Sequence, residues 1–333
     1  MKPYYQSELG ELYHGDCLEL GEHLSNKAAL ICIDPPYNIG KDVWDKIPDY
    51  AAWMGKVFLM CQETLRDNGT FYWFHNKMPV IARLMGWIEE NTDFIFKQFI
   101  VWNKRYVRSK NKGFFDGYVK EDQLRNYQKI AEYCLFYTFQ DETGLSKIQG
   151  DCVFPIREYL RNEILRAKGK IVFKTINQVL GTADNGGGVA SACLSENKTV
   201  PSVITKEHYI KLRKWLNQDG EYKYLRREYE ELRREYEELR YTFNNQKTDH
   251  SVWEFEISSK IGHLTPKPVA LIENIIKHSS NPNDLCVDFF GGSGTLAVAC
   301  ENLGRRWIIS EVSEKYCEIA AKRIEEAASQ MSF

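Results

Sequence analysis

Residues suited to chemistry are densest in the stretch Ala29-Leu30-Ile31-Cys32-Ile33-Asp34-Pro35-Pro36-Tyr37. A short apolar run rich in β-branched residues predicts a buried parallel strand. The run ends in an acid, two prolines and an aromatic. Proline cannot extend a central strand and fixes φ, so Pro35 and Pro36 force a rigid, non-helical exit. That exit would hold the Asp34 carboxylate, carbonyls without neighbouring N–H groups and the Tyr37 ring at the carboxyl edge of a sheet, where α/β folds bind ligands. Standing alone, it could also be an ordinary strand-to-loop turn with a solvated aspartate.

A second stretch has the residue types of a nucleoside site. Residues 285–290 read as a buried strand ending in Asp288-Phe289-Phe290, followed by the turn Gly291-Gly292-Ser293-Gly294 and a helix over 295–303 that stops at Gly304. A glycine turn between strand and helix lets a ligand approach the backbone and meet the helix N-terminus. The next strand, 306–310, ends at Glu311, an acid placed to accept hydrogen bonds from ribose hydroxyls. The turn lacks the G-x-G-x-x-G spacing of a pyrophosphate binder, so a nucleoside without pyrophosphate fits better. S-adenosylmethionine is the candidate. It carries an adenosine, a carboxylate and an ammonium that Asp288 or Asp34 could meet.

The elements that must position these stretches alternate β and α. Residues 11–18 predict a strand, a glycine turn, Asp16 and a helix to about Leu24, where Asp16 could serve simply as the helix N-cap. After the first motif, residues 38–50 read as a polar, glycine-bearing loop that could move over a ligand. A helix over 51–65, an Asp67-Asn68-Gly69 turn, a strand over 70–74, a helix over 78–90 and strands over 94–102 and 132–139 follow. The alternation predicts a parallel sheet with helices on both faces. A helix over 269–278 and a closing helix over 313–327 complete the last segment.

Between these parts the rhythm breaks. Residues 103–115 interleave Lys104, Arg105, Arg108, Lys110 and Lys112 with aromatics and contain no acid. Cations can neutralise phosphates and aromatics can stack on bases, which makes these five DNA-contact candidates; a solvated basic loop is the alternative. Residues 141–250 read as a mainly helical insert. Within it, a helix at 176–181 stopped by glycine, a Gly186-Gly187-Gly188 turn and a helix over 189–194 are compatible with a helix-turn-helix reader. Thr205 caps a further helix. Over 221–241, Tyr222, Tyr229 and Tyr236 recur every seven residues, as do Leu225, Leu232 and Leu239, predicting one apolar helical face. Arg226 with Glu230, and Arg227 with Glu231, would support the helix at i,i+4 spacing. That face could pack on its own domain or form a homodimer.

Bulk properties exclude whole classes. A net charge of −2 gives no global pull toward nucleic acid or anionic membrane, so any nucleic-acid site must be a local patch. Nine scattered cysteines without a C-x-x-C pair read as reduced thiols, with no metal site. No run approaches the roughly 20 apolar residues a membrane span needs, and no signal peptide follows Met1. The expectation is a cytoplasmic protein.

Together the motifs make the chain resemble the β-class DNA amino-methyltransferases, in which the catalytic motif precedes the cofactor motif. The matching pieces are Gly15-Asp16, Asp34-Pro35-Pro36-Tyr37-Asn38, His263 with Lys267-Pro268, Asp288-Phe289-Phe290-Gly291-Gly292-Ser293-Gly294-Thr295, and Glu311. The family usually reads His-Pro-x-Gln-Lys-Pro before the cofactor strand; this chain has His263-Leu264-Thr265-Pro266-Lys267-Pro268.

The resemblance implies a Rossmann-like, mostly parallel α/β sheet with helices on both faces and a circularly permuted motif order. Residues 1–140 would form the catalytic half, 141–250 the target-recognition insert and 251–333 the cofactor half. It implies transfer of a methyl group from S-adenosylmethionine to adenine N6 in double-stranded DNA, by base flipping and direct transfer. Asp34 and the Pro35 carbonyl would accept from the target amine, Pro36 would stiffen the motif, and Tyr37 would stack on the extruded base. In the cofactor pocket Asp16 would meet the adenine amine, Glu311 the ribose, Lys267 the carboxylate, and Asp288 with residues Phe289 to Thr295 the methionine end. Aspartate at position 34 resembles the adenine methylators, whereas the cytosine-N4 group more often has serine there, so cytosine N4 is the alternative target. A nucleotide-dependent oxidoreductase and an inactive DNA-binding protein are the readings from other classes. A cognate restriction enzyme remains open as a partner.

Overall fold

The computed structural model describes residues 2–24, 27–40, 45–106, 108–110, 129–139, 155–183, 187–197, 202–218, 220, 222–239, 243, 249–258 and 266–330. The chain divides into two units, residues 1–139 with 242–333, and residues 140–241.

The first unit is built on strands β1 (Tyr5–Gln6), β2 (Gly10–His14), β3 (Ala28–Ile33), β4 (Leu65–His75), β5 (Ile95–Asn103), β6 (Ala131–Thr138), β7 (Val252–Trp253), β8 (Leu285–Asp288) and β9 (Arg306–Glu311). They form one sheet in the order β1-β2-β9-β8-β3-β4-β6-β5-β7. From β2 across to β4 every neighbouring pair is parallel. All six residues of β3 are buried, which accounts for its unbroken apolar sequence: a central parallel strand has no wet face.

Side chains alternate between two apolar layers, as the pleat requires. Ile31, Ile33, Phe71, Trp73, Leu135, Tyr137 and Val287 share a core with Met54, Val57 and Phe58 of helix Tyr50–Thr64 and with Ile81, Leu84 and Ile88 of helix Met78–Asn91. On the other face Tyr72 and Thr70 reach Ser279, at the end of helix Val269–Ser279, at 2.9 and 3.4 Å. Helices thus cover both faces, as expected. Among the described residues no helix is long and apolar enough to cross a membrane, and no group of side chains is arranged to hold a metal ion.

Two expectations for this unit need correction. Asp67-Asn68-Gly69 does not separate helix from strand, because β4 starts at Leu65 and runs through it. Ala28 pairs with Leu65 and Leu30 with Thr70, so the extra residues of β4 are absorbed as a bulge. The strand over 131–138 does not continue the parallel sheet that the alternation predicts. It lies between β4 and β5, antiparallel to both. Its register brings Tyr72 and Phe136 into a stack at 4.6 Å. Apolar periodicity is the same read in either direction, so sequence alone could not show the reversal.

The second unit packs helices Pro155–Lys168, Phe173–Leu180, Gly188–Leu194, Lys206–Leu216 and Tyr229–Leu239 around Ile156, Leu160, Ile176, Leu180, Leu212, Leu225 and Leu232. Gly181 ends its helix with φ 73°, and Thr205 Oγ1 accepts from His208 N at 3.3 Å, as the expected caps. Buried Asn177 ties the helix pair together. Its amide donates to Gly187 O at 3.2 Å and accepts from Ala190 N at 2.8 Å. Gly186 lies outside the described residues.

The heptad helix begins only at Tyr229. Leu225 has φ 50° and is fully buried, and Tyr222 is exposed. Backbone groups that a longer helix would use internally have other partners. Leu225 N donates to Glu163 at 2.7 Å, and Arg213 donates to the carbonyls of Leu225 and Arg227 at 2.9 and 2.6 Å. Arg227 pairs with Glu231 and Glu235, each at 2.8 Å. Leu232 and Tyr236 are buried in their own unit, which answers the choice between internal packing and an exposed seam. Residues 221, 240 and 241 lie outside the described residues.

Truncating Leu232 to Ala should therefore destabilise the second unit by about 2–5 kcal/mol without changing oligomeric mass. Hydrogen exchange should show faster exchange across 155–239 and unchanged protection in β3 and β8.

Candidate functional site

The two motifs meet because β3 and β8 are direct parallel neighbours. Leu30 pairs with Cys286 and Ile31 with Val287. Asp34 stands three residues beyond Ile31 and Asp288 one beyond Val287, so both acids leave the sheet at the same edge. Beyond β3 the sheet continues through β4, and beyond β8 through β9, leaving a crevice where the connections diverge. A cavity of about 330 Å³ opens there. Asp16, Asp34, Pro35, Pro36, Tyr37, Lys267, Asp288, Phe289, Phe290, Gly291, Gly292, Ser293, Thr295 and Glu311 line it. Of the expected cofactor residues only Gly294 is absent from the wall. Its φ is 75°, and a Cβ there would lie 3.0 Å from Ala320, so it serves the turn itself. His263 lies outside the described residues.

Asp34 is the hub of a buried charge cluster. Tyr37 donates its hydroxyl to Asp34 Oδ1 at 2.6 Å, and the Lys267 ammonium pairs with Oδ2. Lys267 also lies 3.2 Å from Glu132 Oε2, and Glu132 pairs in turn with Lys104. Burial pushes the Glu132 carboxyl up, yet Lys267 and Lys104 outweigh it and hold the group down at about 2. Burial alone would lower Lys267, but Asp34 and Glu132 raise it. A carboxylate oxygen has two acceptor positions, so Asp34 retains capacity for a further donor. The Tyr37 ring rests on His75, with centroids 4.7 Å apart. His75 is held neutral, its pKa lowered to about 4 chiefly by burial, and Nδ1 accepts from Lys77 N at 3.0 Å.

The loop after the motif is tied at its described flanks. Asn38 donates to Ile47 O at 3.1 Å and accepts from Ile47 N at 3.0 Å, while Tyr50 donates to Pro36 O at 2.7 Å. Residues 41–44 lie outside the described residues.

On the other side of the cavity Asp288 accepts from Phe290 N at 2.9 Å. Burial, with the nearby charges of Asp34 and Glu311, raises its pKa to about 8. Glu311 accepts from Gly292 N and Ser313 N, both at 2.8 Å, which fixes the glycine turn against β9. Asp16 is the N-cap of helix Cys17–Gly21, accepting from Leu18 N at 2.8 Å, and it also lines the cavity. Gly291 packs so closely that a Cβ would stand 3.1 Å from Ser310 O. Arg323, from the closing helix Glu314–Gln330, donates to Ser293 O and to Ser293 Oγ, the latter at 2.8 Å.

The five basic candidates are not one surface. Lys104 is drawn inward to Glu132, with its ammonium 4.6 Å from the Trp102 ring. Arg105 is half-buried, whereas Arg108 and Lys110 are exposed; Lys112 lies outside the described residues. Glu256 holds this segment through Tyr106, Ser109 and the Lys110 N–H at 3.1, 3.0 and 3.1 Å.

Sequence reasoning missed Glu132, His75 and Arg323. Glu132 looked like the polar first residue of an aromatic strand, and its significance depends on Lys267. The one available signal was an acid near the start of a strand that is otherwise largely apolar and aromatic.

The DNA methylase family profile N6_N4_Mtase matches residues 28–322. The chain is 34% identical to the DNA adenine methyltransferase YhdJ of Escherichia coli (strain K12) over 338 residues, covering 97% of this chain and 85% of that protein. It is 24% identical to the type II methyltransferase M1.MboII of Moraxella bovis over 319 residues, covering 93% and 94%. Among solved structures, the PvuII DNA methyltransferase (cytosine-N4-specific) shares the fold with a TM-score of 0.55 at 16% identity, covering 99% of this chain and 95% of that one. The M1.HpyAVI–SAM complex does so at 0.51 and 19%, covering 95% and 99%. With a profile spanning most of the sheet unit and a full-length relative above 30% identity, the chain belongs to the N6/N4 DNA methylase family, the amino-methyltransferases of DNA.

Proposed function

We propose that this protein transfers a methyl group from S-adenosylmethionine to the N6 amine of adenine in a short target sequence of double-stranded DNA. The amino-methyltransferase class follows from the family, and S-adenosylmethionine is its methyl donor. The observation that carries the site reading is the meeting of Asp34 and Asp288 on one acid-rich cavity. About 330 Å³ suits a small ligand. Six carboxyl groups against one ammonium favour a ligand bearing positive charge and hydroxyls over a nucleotide phosphate, which argues against the oxidoreductase alternative.

In this reading Asp288 meets the cofactor ammonium, Glu311 the ribose and Asp16 the adenine. S-adenosylmethionine supplies an electrophilic methyl on its sulfonium. An exocyclic amine is a weak nucleophile because its lone pair is delocalised into the ring. Asp34 and the Pro35 carbonyl accept hydrogen bonds from that amine and localise the lone pair toward the methyl. Rigid prolines hold the acceptors still, so positioning supplies much of the acceleration. Tyr37 offers the base the ring face away from His75. The aspartate at position 34, and the similarity to YhdJ, a DNA adenine methyltransferase by name, support adenine over cytosine. The second unit, 140–241, is the proposed target reader, with Arg108 and Lys110 as phosphate contacts. A homodimer and a cognate restriction enzyme are proposals of lower rank, resting on the class alone.

Long-read sequencing of DNA from a methylation-deficient host expressing the protein should show N6-methyladenine in a single sequence context. N4-methylcytosine there would move the reading to the alternative base. Asp34→Asn should lower kcat by about 100-fold or more with cofactor affinity changed only a few-fold, as read by single-turnover methylation and calorimetry.

The Asp288 carboxyl gives a pH signature. With its pKa near 8, the group is protonated at neutral pH in the cofactor-free protein. An ammonium beside it favours the ionised form, so binding expels a proton and affinity rises with pH up to about 8, by at most about tenfold per pH unit. Calorimetry at pH 7 in two buffers of different ionisation enthalpy should therefore show close to one proton released. Asp288→Asn should abolish the release, and its persistence there would assign the proton to another group.

A further inference from the structure

Glu132 has no part in the reaction derived above, yet its carboxylate is largely withdrawn from solvent and paired with two lysines. It is the second residue of β6, the strand that runs against its neighbours, with only 12% of its side chain exposed. It pairs with Lys104 at the end of β5 and with Lys267 at 3.2 Å. The Tyr37 hydroxyl lies 3.5 Å from Glu132 and 3.3 Å from the Lys267 ammonium. The charges alternate along a chain: Lys104, Glu132, Lys267, Asp34.

Burying charge is costly unless it is paired. Lys267 is buried as deeply as Glu132, with 8% of its side chain exposed. Were Asp34 its one counter-ion, each hydrogen bond that Asp34 accepted from a target amine would weaken its hold on a buried ammonium. A second carboxylate removes that competition. With Glu132 in place, the ammonium stays paired while Asp34 turns toward the cavity. The surroundings leave few other sources of compensation. Facing Lys267 are Asp34 and Tyr37 from the exit of β3, Cys32 on β3, Cys134 and Glu132 on β6, and Asp288 on β8. Rings of Phe74 and Tyr37 lie 5.1 and 5.6 Å from the ammonium. Facing Glu132 are the two lysines, Tyr37 and His75, and His75 is neutral.

We propose that Glu132 is a positioning residue for methyl transfer: it anchors the Lys267 ammonium, so that Asp34 can accept the target amine, and through Lys104 it holds the start of the basic segment to the same centre. The proposal deepens the amino-methyltransferase reading and rests on it. Glu132 touches no reacting atom. Its effect runs through Lys267 and Asp34, so its loss should appear in the chemical step and in the protonation of Lys267 more than in DNA binding.

The test is Glu132→Gln, which keeps the shape and removes the charge. In the cofactor-free protein carrying lysine labelled with carbon-13 at the ε position, the Lys267 signal is assigned by its disappearance in Lys267→Arg. It should not titrate below about pH 11 in the native protein, and its midpoint should fall by about two pH units or more in the variant. Methyl transfer should show kcat lowered about 100-fold, KM for DNA within about threefold, and a new loss of activity on the alkaline side. If Glu132→Gln does not fold, Glu132→Asp withdraws the charge by one methylene and should shift the same signals in the same direction by less. An unchanged Lys267 midpoint overturns the proposal, as does a fallen midpoint with native kcat and pH profile. A native protein that transfers no methyl group to DNA defeats the functional reading instead, and the lysine titration still decides the anchoring.

Discussion

Two backbone pairing steps, Leu30 with Cys286 and Ile31 with Val287, hold the candidate site together. Each motif is rigid in itself, one through consecutive prolines and the other through a glycine turn packed on β9. Neither has chemical meaning alone, because an acceptor for an amine and a pocket for a methyl donor must lie within one cavity. Parallel pairing of β3 and β8 places both exits at one sheet edge. A one-residue slip would turn the apolar set of β3 to the opposite face, and every residue of that strand is buried. The core therefore fixes the register, and the register fixes the site.

The electrostatics follow from that burial. Six carboxyl groups, those of Asp16, Asp34, Asp45, Glu132, Asp288 and Glu311, line one cavity of about 330 Å³ together with Lys267. The protein resolves the crowding in two ways. Asp34 and Glu132 share Lys267, and Lys104 pairs with Glu132 from behind. Lys267 acts on Asp288 as well, but burial and the charges of Asp34 and Glu311 outweigh it, and Asp288 holds its proton to about pH 8. The same acid type is thus an ionised acceptor at one end of the cavity and a proton-loaded group at the other. The difference comes from neighbours brought in by other strands.

Long side chains reinforce the backbone that forms the cavity wall. Arg323 reaches from the closing helix to the Ser293 carbonyl, and Glu311 takes the Gly292 amide. Glu256 gathers three donors from the segment after β5. In the second unit, Asn177 and Arg213 do equivalent work, satisfying backbone groups between short helices that cannot satisfy one another. Buried polar groups need partners, and here the partners also set loop geometry.

The local features were legible in the sequence. Asp34-Pro35-Pro36-Tyr37, the glycine turn from Gly291 to Gly294, the caps at Asp16, Gly181, Thr205 and Gly304, and most strands follow from constraints acting within a few residues: proline's fixed φ, glycine's access to positive φ, and the two periodicities of buried faces. Sequence by itself placed the Asp34 and Asp288 motifs each at the end of a strand. Three features were decided only by tertiary structure: the reversal of β6, the shortening of the heptad helix to Tyr229–Leu239, and the drawing of Lys104 away from the basic stretch. Apolar periodicity has no direction, a heptad cannot register a distant Glu163 or Arg213 competing for its backbone, and a lysine's role is set by the anion that folding brings to it. Lys267 and Asp34 are 233 residues apart, and their contact exists only because the strands between them are folded into one sheet.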